Sequence, residues 1–178
     1  MEDILIVCTD NLTGFSQAIE AVYPKTDIQN CIIHQLRNSS KYVSYKDLKE
    51  LMADLKRVYA AVDEPSALDA LEDFAGKWDQ KYPKISKSWR DNWANLSTYF
   101  KFPEEVRRLI YTTNAIEGFN RQLRKVTKSK SVFPTDDSLL KMLYLAMIDI
   151  TAKWTGRRQD WARIHAQLAI FYEDRLPD

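Results

Sequence analysis

Three positions in this 178-residue chain have side chains whose type and spacing could do chemistry. Asp10 follows an apolar, β-branched run from Ile4 to Cys8 and precedes two residues of helix-capping type, Asn11 and Thr13. Ligands of α/β sheets gather at the carboxyl ends of strands, so a carboxylate there suits a metal ion or a general base. The same position also suits a plain helix cap. Glu117 has Asn114 at i−3, Arg121 at i+4 and Arg124 at i+7, all on roughly one side of a helix. That is either an ordinary Glu–Arg surface pair or a carboxylate followed by phosphate-binding cations. Cys31 and His34 have C-x-x-H spacing. Two ligands fall short of the four of a structural zinc site, so Cys31 reads as a small buried hydrophobe. His34, Arg37 and Asn38 form a polar cluster that would lie near Asp10 if the two strands pair. Nucleophile-elbow, P-loop and dinucleotide motifs are lacking, which leaves serine, cysteine and nucleotide-fold enzymes with little support.

The elements that must position these groups follow from hydrophobic periodicity. The run ILIVC at 4–8 reads as a buried strand, and Phe15, Ala18, Ile19 and Val22 recur at helical spacing before Pro24. Ile28 to His34 reads as a second strand, giving a βαβ unit with parallel strands. Beyond it the pattern is helical. Leu48, Leu51, Leu55, Val58 and Val62 mark one helix; Asp63 caps a second with Pro65 in its first turn. Trp89, Trp93, Leu96 and Phe100 mark a shorter inward face closed by Pro103. Ile116, Phe119, Leu123 and Val126 share the core-facing side of the Glu117 helix. Pro134 precedes a strongly apolar helix at about 137–154, and a last helix carries Trp161, Ile164, Leu168 and Phe171. Two parallel strands alone leave two exposed edges, so further strands are expected upstream.

Composition bounds the class. Hydrophobic residues are 45% and charged residues 29%, which excludes wholesale disorder. Two cysteines make no disulfide framework and point to a reducing compartment. The segment from Leu139 to Ile150 is interrupted by Lys141 and Asp149 and is too short to span a bilayer. The net charge of +1 hides an asymmetry: residues 83–135 hold 11 Lys/Arg against 4 Asp/Glu. Within that block Arg121, Arg124, Lys125, Lys128 and Lys130 fall close together, as a solvated helix face or a phosphate-binding patch.

Three segments, taken in order, change the weight of these readings. TDNLTGFSQAIEAVYPKTDIQNCIIHQLRN, then WRDNWANLSTYFKFPEEVRRLIYTTNAIEGFNRQLRK, then the apolar helix after Pro134 resemble the Mutator-type transposases of bacterial insertion sequences. The likeness covers nearly the whole chain. The combination of D-x-L-x-G-F, C-x-x-H-x-x-R-N and TTNAIE-x-x-N-x-x-L-R is specific.

The pattern reads as a mainly α fold with a small parallel β component, and the resemblance implies a truncated ribonuclease-H-like core plus a helical insertion. The expected divisions are 1–40 for the partial core, 41–103 for the insertion and 104–178 for the C-terminal core helices. Asp10 falls on the second aspartate of an Asp-Asp-Glu triad and Glu117 on its glutamate. Cys31 and His34 match the family's C-x-x-H. The implied cofactor is Mg²⁺ or Mn²⁺ in a two-metal site. The implied partners are DNA, as transposon ends and target, and further copies of the complete enzyme. No membrane is involved, and a bacterial cytoplasmic, nucleoid-associated location is expected. Asp10 and Glu117 would hold the metals. Arg121, Arg124, Lys125, Lys128 and Asn114 would bind DNA, with Cys31, His34 and Arg37 auxiliary; His34 would orient a phosphate or a metal-bound water. Asn11 stands where the family usually has Gly. The triad's first aspartate is expected upstream, which would leave the isolated chain inactive, and Asp3 does not replace it. The alternatives are a non-catalytic DNA-binding remnant and a helical interaction module.

Overall fold

The computed structural model describes residues 3–111, 114–129, 132–154 and 160–176. The apolar opening forms β1 (Ile6–Thr9), and α1 (Phe15–Val22) leads to β2 (Asp27–Asn30). The strands pair in parallel, Ile6 opposite Asp27 and Thr9 opposite Asn30. Both therefore end level, and Asp10 leaves the sheet beside the exit of β2. The rest of the described chain is helical.

Three local expectations are corrected. The second strand stops at Asn30, not His34. Cys31 turns the chain with extended backbone, and α2 (Ile32–Ser40) begins at once. Ile32 and Ile33 resemble strand residues, but Ile32 and Leu36 are one helical turn apart and both buried. The first helix takes neither Asn11 nor Thr13 as its cap. Gly14 is the N-cap at φ 83°, a left-handed conformation that glycine adopts without steric cost. Finally, the tryptophan-rich segment is three short elements, not one helix: α5 (Pro83–Asp91), α6 (Trp93–Leu96) and a 3-10 turn (Thr98–Lys101).

The described chain divides into two units, residues 1–112 with 162–178 and residues 113–161. The first unit carries the main core. Helices α3 (Tyr45–Tyr59) and α4 (Glu64–Trp78) bury Leu51, Leu55, Val58, Leu71 and Phe74 at helical spacing, and Trp89 of α5 joins them. Asp63 caps α4 through the Ser66 N–H at 2.9 Å, with Pro65 in the first turn, as its sequence predicts. Next, α7 (Glu104–Ile110) adds Val106 and Ile110, and α10 (Trp161–Phe171) adds Ile164. Arg175 then donates to both Asp3 oxygens, at 2.8 and 2.7 Å, so Asp3 is an anchor for the C-terminal segment.

Gln29 ties the sheet to this core. It is fully buried, its Nε2 donates to the carbonyls of Asn30 and Leu96, and its Oε1 accepts from the Tyr99 N–H at 2.7 Å. Thr98 Oγ1 adds a bond to the Ile28 carbonyl at 2.7 Å. Side-chain bonds to Leu96, Thr98 and Tyr99 thus hold β2 against α6 and the 3-10 turn.

The second unit is built on α8 (Asn114–Thr127) and α9 (Asp136–Thr151). Thr135 and Ser138 form a reciprocal capping box at the start of α9. Phe119 meets Trp154 with ring centroids 5.8 Å apart. The expected core-facing stripe of α8 is only partly covered: Ile116 is 64% exposed and Val126 is exposed, while Phe119 and Leu123 are half-buried. On α9, Leu140, Tyr144, Leu145 and Ile148 are exposed and only Ala146 and Ile150 are buried. Within this unit a single partner helix can cover only part of each apolar stripe.

Candidate functional site at the end of the sheet

Asp10 stands just beyond β1 with its side chain 65% exposed, and its Oδ1 lies 2.9 Å from His34 Nδ1. The plain capping role is excluded, because Gly14 is the cap of α1. The contact is a product of the corrected topology. Parallel pairing brings the two strand ends level, the turn at Cys31 starts α2 immediately, and His34 sits in its first turn. Were residues 31–34 strand, successive side chains would alternate across the sheet.

Three further polar side chains lie at or next to the two strand ends. Asn11 Oδ1 accepts from Asn30 Nδ2 at 3.3 Å, while Asn30 Oδ1 and Thr9 Oγ1 are buried without hydrogen-bond partners among the described residues. A buried, unpaired polar oxygen is costly. Carboxylate, amide and hydroxyl oxygens are the donor types that a hard divalent cation such as Mg²⁺ takes. The residues therefore fit such an ion in donor type. Among the described residues no three His, Cys, Asp or Glu side chains converge on a metal-binding group.

The two side chains of the C-x-x-H pair have different neighbours. Cys31 is buried and lies against Cys8, while His34 turns to Asp10. The Cys31 thiol and burial together push the Cys8 thiol far above its ordinary pKa. Cys31, buried against Cys8, is in keeping with a small buried hydrophobe. Arg37 is exposed on α2, one turn beyond His34.

Glu117 lies in the first turn of α8 and is half-buried. Arg121, Arg124, Lys125 and Lys128 follow it on exposed positions of α8 and the turn after it. The Asn114 side chain, Thr112, Thr113 and Lys130 lie outside the described residues. Asp10 belongs to the first unit and Glu117 to the second. The structural role of Gln29 escapes sequence reasoning, since a polar residue inside a strand run carries no sign of its distant partners.

Comparison with known proteins bears on what this edge is for. The family model described as Transposase, Mutator family, matches residues 1–156. A probable transposase for an ISRM3-like insertion sequence element from Sinorhizobium fredii is 45% identical over 176 residues, covering 98% of this chain and 44% of its own length. The transposase for insertion sequence element ISRM3 of Rhizobium meliloti is 44% identical over the same length and coverage. A probable insertion-sequence transposase of Corynebacterium diphtheriae is 36% identical, over all of this chain and 58% of its own. The chain spans less than half the length of the first two. Among the described residues no helix is long and apolar enough to cross a membrane.

Proposed function

The chain belongs to the Mutator family of transposases, and from that premise we propose that it is part of a metal-dependent DNA strand-transfer domain. In this reading Asp10 and Glu117 are two carboxylates of an Asp-Asp-Glu site on a ribonuclease-H-like core. The proposed divisions are 1–40 for part of that core, 41–103 for a helical insertion and 104–178 for the helices that carry Glu117. The substrate is DNA, as insertion-sequence ends and target, and the working assembly holds more than one copy because two ends are joined. The reading places the protein with bacterial DNA in the cytoplasm.

The observation that carries the proposal is the setting of Asp10: a strand-end carboxylate, exposed, with its Oδ1 2.9 Å from His34 Nδ1. A pair of divalent ions, when bound, activates the attacking hydroxyl and stabilises the leaving oxygen. Asp10 and Glu117 would supply oxygens to them. His34 acts as a positioning residue, holding the Asp10 carboxylate in one orientation. Arg121, Arg124, Lys125 and Lys128 hold DNA phosphates, assisted by Asn114. Arg37 is exposed one turn along α2. Cys31 packs the turn that aims His34.

The test uses a chimera in which this chain replaces the matching segment of the Rhizobium meliloti transposase. Excision of the insertion sequence is measured in cells. The expected result is excision by the chimera and its loss in Asp10→Asn and Glu117→Gln. Excision that survives either substitution contradicts the proposal.

A further inference from the structure

The turn between α2 and α3, with the first two residues of α3, has a composition that the catalytic reading does not use. Lys41 and Tyr42 of the turn and Tyr45 and Lys46 of α3 put a cation and an aromatic on each side of the anchoring residues Val43 and Ser44. Tyr42 is 81% exposed and Tyr45 is 94% exposed. Large aromatic rings held this far into water lose the burial that normally stabilises them. Their backbone is nonetheless fixed. Val43 packs on the main core. The Ser44 N–H donates to Tyr82 Oη at 3.1 Å, and Ser44 Oγ donates to Asp47 Oδ2 at 2.8 Å. The rings therefore flank a pinned residue and need little further ordering when they bind.

The electrostatics of the turn have one sign. From Ile28 to Lys46 there is no Asp or Glu, while Arg37, Lys41 and Lys46 are present. Lys41 Nζ lies 5.5 Å from the Tyr42 ring centroid. Asp47, the first carboxylate beyond, is engaged by Lys81, Tyr82 and Ser44, and Glu50 pairs with Lys77 at 2.7 Å. Lys84 is exposed and lines a cleft shared with Tyr42 and Asn38. The turn also has a fixed relation to the candidate site. It follows α2 directly, and α2 starts at the Asp10–His34 contact and spans about 13 Å at 1.5 Å per residue. That length is roughly four steps of a strand whose bases stay stacked at about 3.4 Å each.

We propose that residues 41–46 are a stacking platform for unpaired bases of a DNA strand that leaves the Asp10 site along α2, with Lys41, Lys46 and Lys84 on its phosphates. The inference rests on the transposase reading for the identity of the strand. Exposed aromatic faces interleaved with cations recognise single strands, whose bases have free faces, rather than duplexes, whose bases are stacked on one another. A protein partner for two tyrosines in a one-signed cationic setting would have to be acidic, and nothing in the turn adds specificity for one.

The test measures binding of the 178-residue chain to fluorescein-labelled oligothymidylate and to a duplex of equal length. Tyr42→Ala and Tyr45→Ala are each expected to weaken oligothymidylate binding about 5- to 100-fold and to change duplex binding less than about twofold. Tyr42→Phe and Tyr45→Phe should bind like the parent chain, because a ring suffices. Lys41→Gln and Lys84→Gln should each reduce the salt slope for oligothymidylate by about 0.7. Both tyrosines are exposed, so equal melting temperatures will show that every variant folds. No oligothymidylate binding by the parent chain, equal losses on both DNAs, or phenylalanine variants as weak as alanine ones would overturn the platform. An acidic polypeptide that alone responds to the tyrosines would also overturn it, in favour of a protein partner. None of these residues holds metal in the proposed catalytic site. A metal response at Asp10 with a failed tyrosine test therefore removes the platform alone, and the reverse result removes the catalytic reading alone.

Discussion

His34 Nδ1 lies 2.9 Å from Asp10 Oδ1, and this contact joins the end of β1 to the first turn of α2. The histidine is more buried than its partner, with side chains 28% and 65% exposed. The carboxylate is thus held from the protein side and open to solvent on the other. A group so placed can bind a ligand without giving up its orientation.

His34→Gln keeps a polar side chain near Asp10, whereas His34→Ala removes it. In the excision chimera, His34→Ala is expected to slow the reaction about 10- to 100-fold, the usual cost of losing a partner that orients a ligand. His34→Gln should recover part of that loss. Equal excision rates in all three proteins would show that the contact does not serve the site.

Gln29 makes three hydrogen bonds inside the core. Gln29→Ala leaves the Leu96 carbonyl and the Tyr99 N–H buried without this partner, at a cost of about 2–4 kcal/mol. Urea denaturation should show a lower midpoint at unchanged slope. A midpoint equal to that of the parent would show that Gln29 is not the link between sheet and helices.

Acid should loosen the junction of α3 with α4 and α5. Lys81, then Tyr82 and Ser44, hold the Asp47 carboxyl well below the ordinary carboxylate range. Burial pushes Asp54 up, but hydrogen bonds from Lys77 and Trp78 outweigh it and leave its pKa lowered. Groups depressed in the folded state contribute stability that is present above their unfolded pKa, about 3.9, and is lost as the pH falls further. The melting temperature should therefore fall below about pH 4, and less steeply in Asp47→Asn. Parallel pH profiles for the two proteins would contradict this assignment.

The basic run on α8 separates DNA binding from a purely helical interaction module. Removing one cation from a phosphate lowers the salt slope for duplex DNA by about 0.9. Arg121→Gln with Arg124→Gln should reduce it by about 2, measured by fluorescence anisotropy across a salt series. An unchanged slope would show that these cations do not touch phosphate.

Legibility in the sequence depends on whether the signal is local. The apolar run at 4–8 followed by Thr9 and Asp10 marks a strand end, and the parallel pairing predicted from the βαβ spacing is present. The mainly helical class with a small parallel sheet is likewise readable from periodicity. Residues 31–34 read wrongly as strand because Ile32 and Ile33 are β-branched, and only burial of Ile32 with Leu36 against distant helices decides for a helix. The Gln29 bonds reach Leu96 and Tyr99, far along the chain, so no window around residue 29 contains them. The stripe of α8 has correct helical spacing, yet spacing does not tell how much of a stripe will be covered. Lys41 to Lys46 give no signal in the sequence, because their tyrosines resemble core residues until their exposure is seen.

Whether Asp10 and Glu117 serve one metal site is tested most directly by the thermal melt of this chain with and without millimolar Mn²⁺, beside Asp10→Ala and Glu117→Ala. An ion that binds only the folded state raises the midpoint. The predicted result is a rise in the parent chain that either substitution abolishes. A cooperative melt with no rise, or a rise that both variants retain, would contradict the shared site.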